Sequence, residues 1–178
     1  LHGNEVTIVD NLERGEMDSE LKELLKNKKL KFSYIDLLKE NSLEELNKNY
    51  DFIFHLAAVL GVDNVLKNSY KVLDINKKLL SNVILFASRQ KNLKKLFFTS
   101  TSEIYAGTLQ KSTLTIPTPE DSNIVLTDLN HPRTSYMLSK AYGEAMCYAS
   151  DLPVLILRPH NIFGPRMGMA HVIPQLIK

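Results

Sequence analysis

The chain is poor in cysteine, in net charge and in long apolar runs. Cys147 is the single cysteine among 178 residues, so no internal disulfide can form and a reducing compartment is expected. It lies at helical spacing among apolar residues, which reads as a buried spacer rather than a nucleophile. Charges nearly cancel: 22 Lys and Arg against 20 Asp and Glu leave a formal +2, too little to draw the chain to nucleic acid. The densest basic stretch, Lys26 to Lys31, is broken by Asn27 and Leu30 and reads as a solvated helix end. No run reaches the roughly 18 consecutive apolar residues of a membrane span, and no charged-then-apolar leader opens the chain. A soluble, cytoplasmic protein is expected, with no nucleic acid, membrane or metal among its partners. Internal repeats, low-complexity segments and linkers are also missing.

What remains is ordinary globular composition, 44% hydrophobic, enough for one domain with a core. Strand-length apolar runs alternate with helical patterns. Strands are expected at Val6–Val9, Lys31–Ile35, Phe52–Leu56, Lys95–Ser100 and Val154–Leu157. Helices are expected at Asp18–Lys28, Ser42–Asn47 (Ser42 as N-cap, Glu45 completing a capping box), Lys71–Gln90 and Ser135–Ser150. "HVIPQLIK" reads as the opening of another helix, and "LHGNEVTIVDN" as a helix end, a Gly3 C-cap and a strand. The alternation predicts an α/β fold with a doubly wound, Rossmann-like parallel sheet. "FIFHLAA" and "VLILR", apolar on both faces, call for helices on both sides. Ligands should then sit at the carboxyl ends of the strands. Ser112–Pro132 reads as a long loop, a feature that in a compact domain is usually functional.

Several residues stand at those carboxyl ends. Asp10, followed by Asn11, closes the first strand, where a carboxylate can accept from adenosine ribose hydroxyls and favour NAD over NADP; the same pair also suits a turn. Asp36 and Leu37 close the next strand. His55, Leu56, Ala57 and Ala58 close the one after, where small residues let a flat cofactor approach, while His55 reads as a core histidine. Thr101, Ser102 and Glu103 follow the "KLFFTS" strand as a run that suits either a solvated turn or proton handling. Tyr136 and Lys140, four apart on a helix, share one face; an ammonium there should lower the phenol pKa from near 10 and make Tyr136 a general base.

Taken in order, "VDN", "HLAA", "STSEIY", "YMLSK" and "RPHNIFGPR" resemble the extended short-chain dehydrogenases/reductases, the branch of nucleotide-sugar epimerases, dehydratases and decarboxylases. The resemblance covers essentially all 178 residues. It implies NAD as cofactor and a nucleotide-diphosphate sugar as substrate. Tyr136 would take the proton from the sugar 4-hydroxyl, Lys140 would bind the nicotinamide ribose, and Thr101 would bond the reacting oxygen. Pro159 would join the cofactor contacts. Asn161 would meet the substrate diphosphate, and His171 and Val172 the nucleotide. Leu60-Gly61-Val62 lies where the family contacts the sugar, Arg158 would support the strand end and loop, and Met167 and Met169 suit packing. Glu103 resembles the carboxylate that acts near C5 in GDP-mannose 4,6-dehydratases and UDP-glucuronate decarboxylases. Ser102 stands where dTDP-glucose dehydratases carry aspartate. The resemblance also implies a homodimer through helices 71–90 and 135–150, with Leu79, Leu80, Val83 and Ile84 serving either an interface or the core.

The family's glycine-rich G-x-x-G-x-x-G turn does not occur in these residues. The chain therefore reads as part of a longer protein: residues 1–178 form a partial NAD-binding domain, and 159–178 lead toward the substrate-binding region. Three readings follow. The first is an enzyme leaning to 4,6-dehydration or decarboxylation, with 4-epimerisation as alternative. The second is a nucleotide-binding protein without turnover, against which Thr101, Tyr136 and Lys140 together argue. The third is an inactive fragment.

Overall fold

The computed structural model describes residues 2–111, 114–164, 167–168 and 172–177. Among the described residues five short strands form, all parallel: β1 (Val6–Asp10), β2 (Leu30–Tyr34), β3 (Phe52–His55), β4 (Lys95–Thr99) and β5 (Val154–Leu157). They hydrogen-bond as a β1-β2 pair and a β3-β4-β5 sheet. Register sets Val6 against Leu30, Phe54 against Phe97 and Phe97 against Leu155.

The helices are α1 (Ser19–Leu24), α2 (Val62–Lys67), α3 (Ser69–Ser88), α4 (Ala106–Gln110), α5 (Pro132–Tyr148) and α6 (Val172–Ile177). Asp18 caps α1 by accepting from the Leu21 amide at 2.8 Å, and Pro132 enters at the first turn of α5, where its missing N–H costs nothing. Ser42–Asn47 is not a helix but a run of turns. Asn41 is left-handed (φ +57°). The amides of Ser42, Glu44 and Leu46 each bond the carbonyl three residues back, so the helical ladder never starts, as expected for so short a segment.

α3 and α5 lie against one face of the β3-β4-β5 sheet. Leu80, Phe98 and Cys147 form one buried cluster, and Leu43, Val83, Ala87 and Leu96 a second. Val9, Ile35 and Leu37 from the β1-β2 side pack on the second cluster, alongside Ile53 and Val154. The opposite face carries Phe52, Phe54, Leu155 and Leu157, all exposed, with the Phe54 and Phe97 rings stacked at 4.3 Å. Gly143 makes the α5 approach possible, because a Cβ there would meet the Phe98 ring at 2.5 Å. Leu79, Leu80 and Val83 are buried within this chain and serve its core. The outward side chains on these helices are instead Tyr70, Leu85, Tyr142 and Tyr148. Among the described residues no helix is long and apolar enough to cross a membrane.

Candidate active site

The carboxyl end of β4 meets the first turns of α5. Thr101 is extended and caps a 3-10 turn, Ser102–Tyr105, by accepting from the Glu103 amide at 3.2 Å. The same hydroxyl acts on the Tyr136 phenol, pulling its pKa down. Tyr136 is half-buried, and its pKa is raised by burial and then by the Glu103 charge, against the lowering effect of Thr101. The expectation of a phenol lowered by Lys140 is therefore corrected for this state. The Lys140 ammonium donates instead to the Thr99 carbonyl at 2.8 Å, and it lies over the Tyr136 ring, 5.9 Å from its centre. Burial pulls Lys140 itself down to about 8.

Glu103 reaches across to Arg133 at 3.4 Å, its side chain 42% exposed. Ser102 Oγ lies 2.8 Å from His160 Nδ1, and the Ser102 amide donates to the Pro159 carbonyl at 3.1 Å. Asn161 follows in a left-handed conformation (φ +40°), its Nδ2 3.3 Å from His160 Nε2. Thr101, Ser102, Glu103, Tyr136, Lys140, Pro159 and Asn161 thus gather where β4, β5 and α5 meet. His171 and Met169 lie outside the described residues, and Val172 is the first residue of α6. Met167 is half-buried. Gly61 takes a positive φ of 104°, and its carbonyl accepts from the Val65 amide at 3.0 Å as α2 begins.

The other predicted residues lie elsewhere. Asp10 and Asn11 each fold back on the amide two residues ahead, at 2.6 and 3.1 Å, so they do build a turn. Past them an open cleft of about 590 Å³ is lined by Asn11, Leu12, Glu13, Tyr34, Ile35 and Asp36. Leu37 packs on the core instead. Leu56 and Ala57 are exposed beyond β3, and Ala58 is half-buried. His55 is buried, stacked 6.0 Å from Phe98, and desolvation followed by the Lys140 charge lowers it to about 3, so it is neutral.

Four polar residues of this region escape the motif reading. Arg133 and His160 hold Glu103 and Ser102. Asn76, buried in α3, clamps both backbone groups of Val59 at 2.7 and 3.1 Å and the Ser139 hydroxyl at 3.2 Å. Glu144, buried in α5, pairs with Arg158. A polar residue inside an apolar helical stripe was the signal for Asn76, and the spacing of four from Lys140 was the signal for Glu144.

Against known proteins, the family model described as "NAD dependent epimerase/dehydratase family" matches residues 1–178. The chain belongs to this family. A UDP-N-acetyl-alpha-D-glucosaminuronate decarboxylase of Bacillus cytotoxicus is 36% identical over 99% of the chain and 53% of its own length. A dTDP-D-glucose 4,6-dehydratase of Dictyostelium discoideum is 30% identical over 98% of the chain and 41% of its own length. A solved UDP-N-acetylglucosamine 4-epimerase from Methanobrevibacter ruminantium M1 superposes with TM-score 0.78 at 29% identity, over 98% of this chain and 54% of that one. The epimerase/dehydratase fold is thus the Rossmann-like α/β fold expected from the strand pattern. The chain spans about half the length of the curated relatives it matches.

Proposed function

We propose that the complete protein oxidises a nucleotide-diphosphate sugar at C4 with NAD and then carries out chemistry at C5, decarboxylation or 4,6-dehydration. One observation carries this reading: the Thr101 hydroxyl and the Glu103 charge act on the same Tyr136 phenol, the first lowering its pKa and the second raising it. A base, a hydroxyl that orients the reacting oxygen and a second carboxylate are what the two steps require. The 36% identity to a decarboxylase supports the same direction.

The residues fit NAD at two places. The cleft lined by Asn11 and Asp36 at the ends of β1 and β2 suits the adenosine half, with Asp10 facing the ribose hydroxyls. Lys140, with one donor spent on Thr99, keeps donors for the nicotinamide ribose. Leu56, Ala57, Ala58 and Pro159 would contact the cofactor between these two places, with Asp36 at the adenine end and Leu37 behind it in the core. When bound, NAD accepts the C4 hydride. Tyr136 takes the 4-hydroxyl proton, and Thr101 bonds O4 as charge develops there. Glu103 handles the proton at C5, with Ser102 beside it. Asn161 meets the diphosphate, with His171 and Val172 at the nucleotide.

A second reading, 4-epimerisation, is favoured by the 42% exposure of the Glu103 side chain, since a solvated carboxylate is a weaker C5 base. Incubating the complete protein with NAD and a panel of UDP-, GDP-, CDP- and dTDP-sugars separates them by product mass. Loss of carbon dioxide or of water supports C5 chemistry, unchanged mass with altered retention supports epimerisation, and no product on the panel contradicts both. A cytoplasmic homodimer, formed through the outward sides of α3 and α5, completes the proposal; light scattering of the complete protein tests the dimer.

A further inference from the structure

A buried polar cluster behind Thr101 takes no part in the roles above. Glu144 of α5 is 3% exposed in its side chain and Arg158, just past β5, 18%. Arg158 grips both carboxylate oxygens, Nε to Oε1 at 3.0 Å and Nη2 to Oε2 at 2.6 Å. Ser100 donates to the same Oε1 at 2.5 Å. The remaining arm, Nη1, reaches the Tyr105 hydroxyl and the Glu120 carbonyl, with the guanidinium 5.2 Å from the Tyr105 ring centre.

Both carboxylate oxygens and all three guanidinium nitrogens are engaged. Apolar residues of equal volume commonly fill such a site at no loss of stability, so stability alone does not explain two buried charges. Their placement does. Tyr136, Lys140 and Glu144 follow one stripe of α5 at spacings of four. Ser100 immediately precedes Thr101, and Arg158 immediately precedes Pro159, whose carbonyl holds the Ser102 amide. The cluster therefore ties the carboxyl ends of β4 and β5, and through Glu120 the loop after α4, to the helix that carries Tyr136.

We propose that Glu144 and Arg158 are positioning residues that hold the end of β4, where Thr101 follows, against the helix that carries Tyr136, with Ser100 as the link. The kinetic consequence rests on the C4 oxidation proposed above; the structural one does not. Around Tyr136 the charged groups are Glu103, itself paired with Arg133, and Lys140, with neutral His55 behind. Because Thr101 lowers the Tyr136 pKa, displacing it moves the acid limb of the kcat/KM profile to higher pH.

Ser100→Ala in the complete protein cuts the link and leaves both Arg158–Glu144 bonds in place. It should lower kcat by about tenfold to a hundredfold, the scale of a misplaced base, and shift the acid limb upward. Hydrogen exchange reads the same coupling without substrate: the Ser102 and Glu103 amides should exchange about tenfold faster. Unchanged exchange at both amides overturns the proposal, and so does an active Ser100→Ala protein with kcat within about twofold of the parent and an unmoved limb. An inactive parent with accelerated exchange supports the positioning and contradicts only the C4 chemistry. If Ser100→Ala fails to fold, Arg158→Lys, which keeps the charge and loses the fork, is judged by the same readouts.

Discussion

Gly143→Ala sets helix propensity against packing, and the structure says which wins. Alanine improves an exposed helix interior by about 1 kcal/mol over glycine. At Gly143 the new methyl would lie 2.5 Å from Phe98 Cζ and 3.1 Å from both Phe98 Cε1 and Leu80 Cδ2. Carbon atoms rest at about 3.5–4.0 Å, so α5 and the ring must part by about 1 Å. Phe98 is 2% exposed, with the His55 ring 6.0 Å and the Lys140 ammonium 5.2 Å from its centre, so it has nowhere to swing. Overpacking costs about 1–3 kcal/mol, leaving a net loss of up to about 2 kcal/mol after the propensity gain. For a domain of this size that lowers the melting temperature by up to about 8 °C. α5 carries Tyr136 and Lys140 with it, and displacement of a base by about 1 Å costs up to about a hundredfold in kcat. Differential scanning calorimetry and steady-state kinetics on the complete protein measure both. A variant that melts higher than the parent with unchanged kcat would refute the packing argument.

Glu103→Gln should leave the first oxidation and suppress the step at C5 by about a hundredfold, so reduced nicotinamide accumulates; normal product release by this variant would remove Glu103 from the mechanism. Burial holds His55 at about 3, below its ordinary 6.5, so between those values the unfolded chain binds the extra proton and stability falls with acidification at up to about 1.4 kcal/mol per pH unit. His55→Phe should flatten that slope in urea titrations at pH 4 to 6.5, and an unchanged slope would show that another group titrates. Cys147, buried and raised to about 11 by desolvation and then the Glu144 charge, should resist iodoacetamide until the chain unfolds; modification of the folded protein within minutes would contradict its burial.

The five strands among the described residues were legible because each is a compact apolar run between polar breaks, and five of their ten observed bounds match those expected while the other five differ by one residue. α3 and α5 were legible from their length. Ser42–Asn47 misled because a capping pattern is local, while Asn41 takes a left-handed conformation that periodicity does not report. α2 and the 3-10 turn at Ser102–Tyr105 are too short to carry a period. That Thr101, Tyr136 and Lys140 lie near one another was readable from spacing and motif order, but the direction of the Tyr136 shift was not. It depends on where the Lys140 ammonium points, and the Thr99 carbonyl that captures it lies 41 residues away along the chain. The Glu144–Arg158 pair was equally hidden, since its members come from different elements.

Everything proposed for the site turns on Tyr136 withdrawing the proton as C4 is oxidised. Stopped-flow absorbance of reduced nicotinamide, in a single turnover of the NAD-loaded complete protein with its nucleotide sugar, tests this directly. A transient is expected in the parent protein and, in Tyr136→Phe with NAD still bound, a rate lower by about a hundredfold or more. An equal transient in both proteins, or turnover of the parent with no reduced nicotinamide and no isotope effect from deuterium at C4, would contradict it.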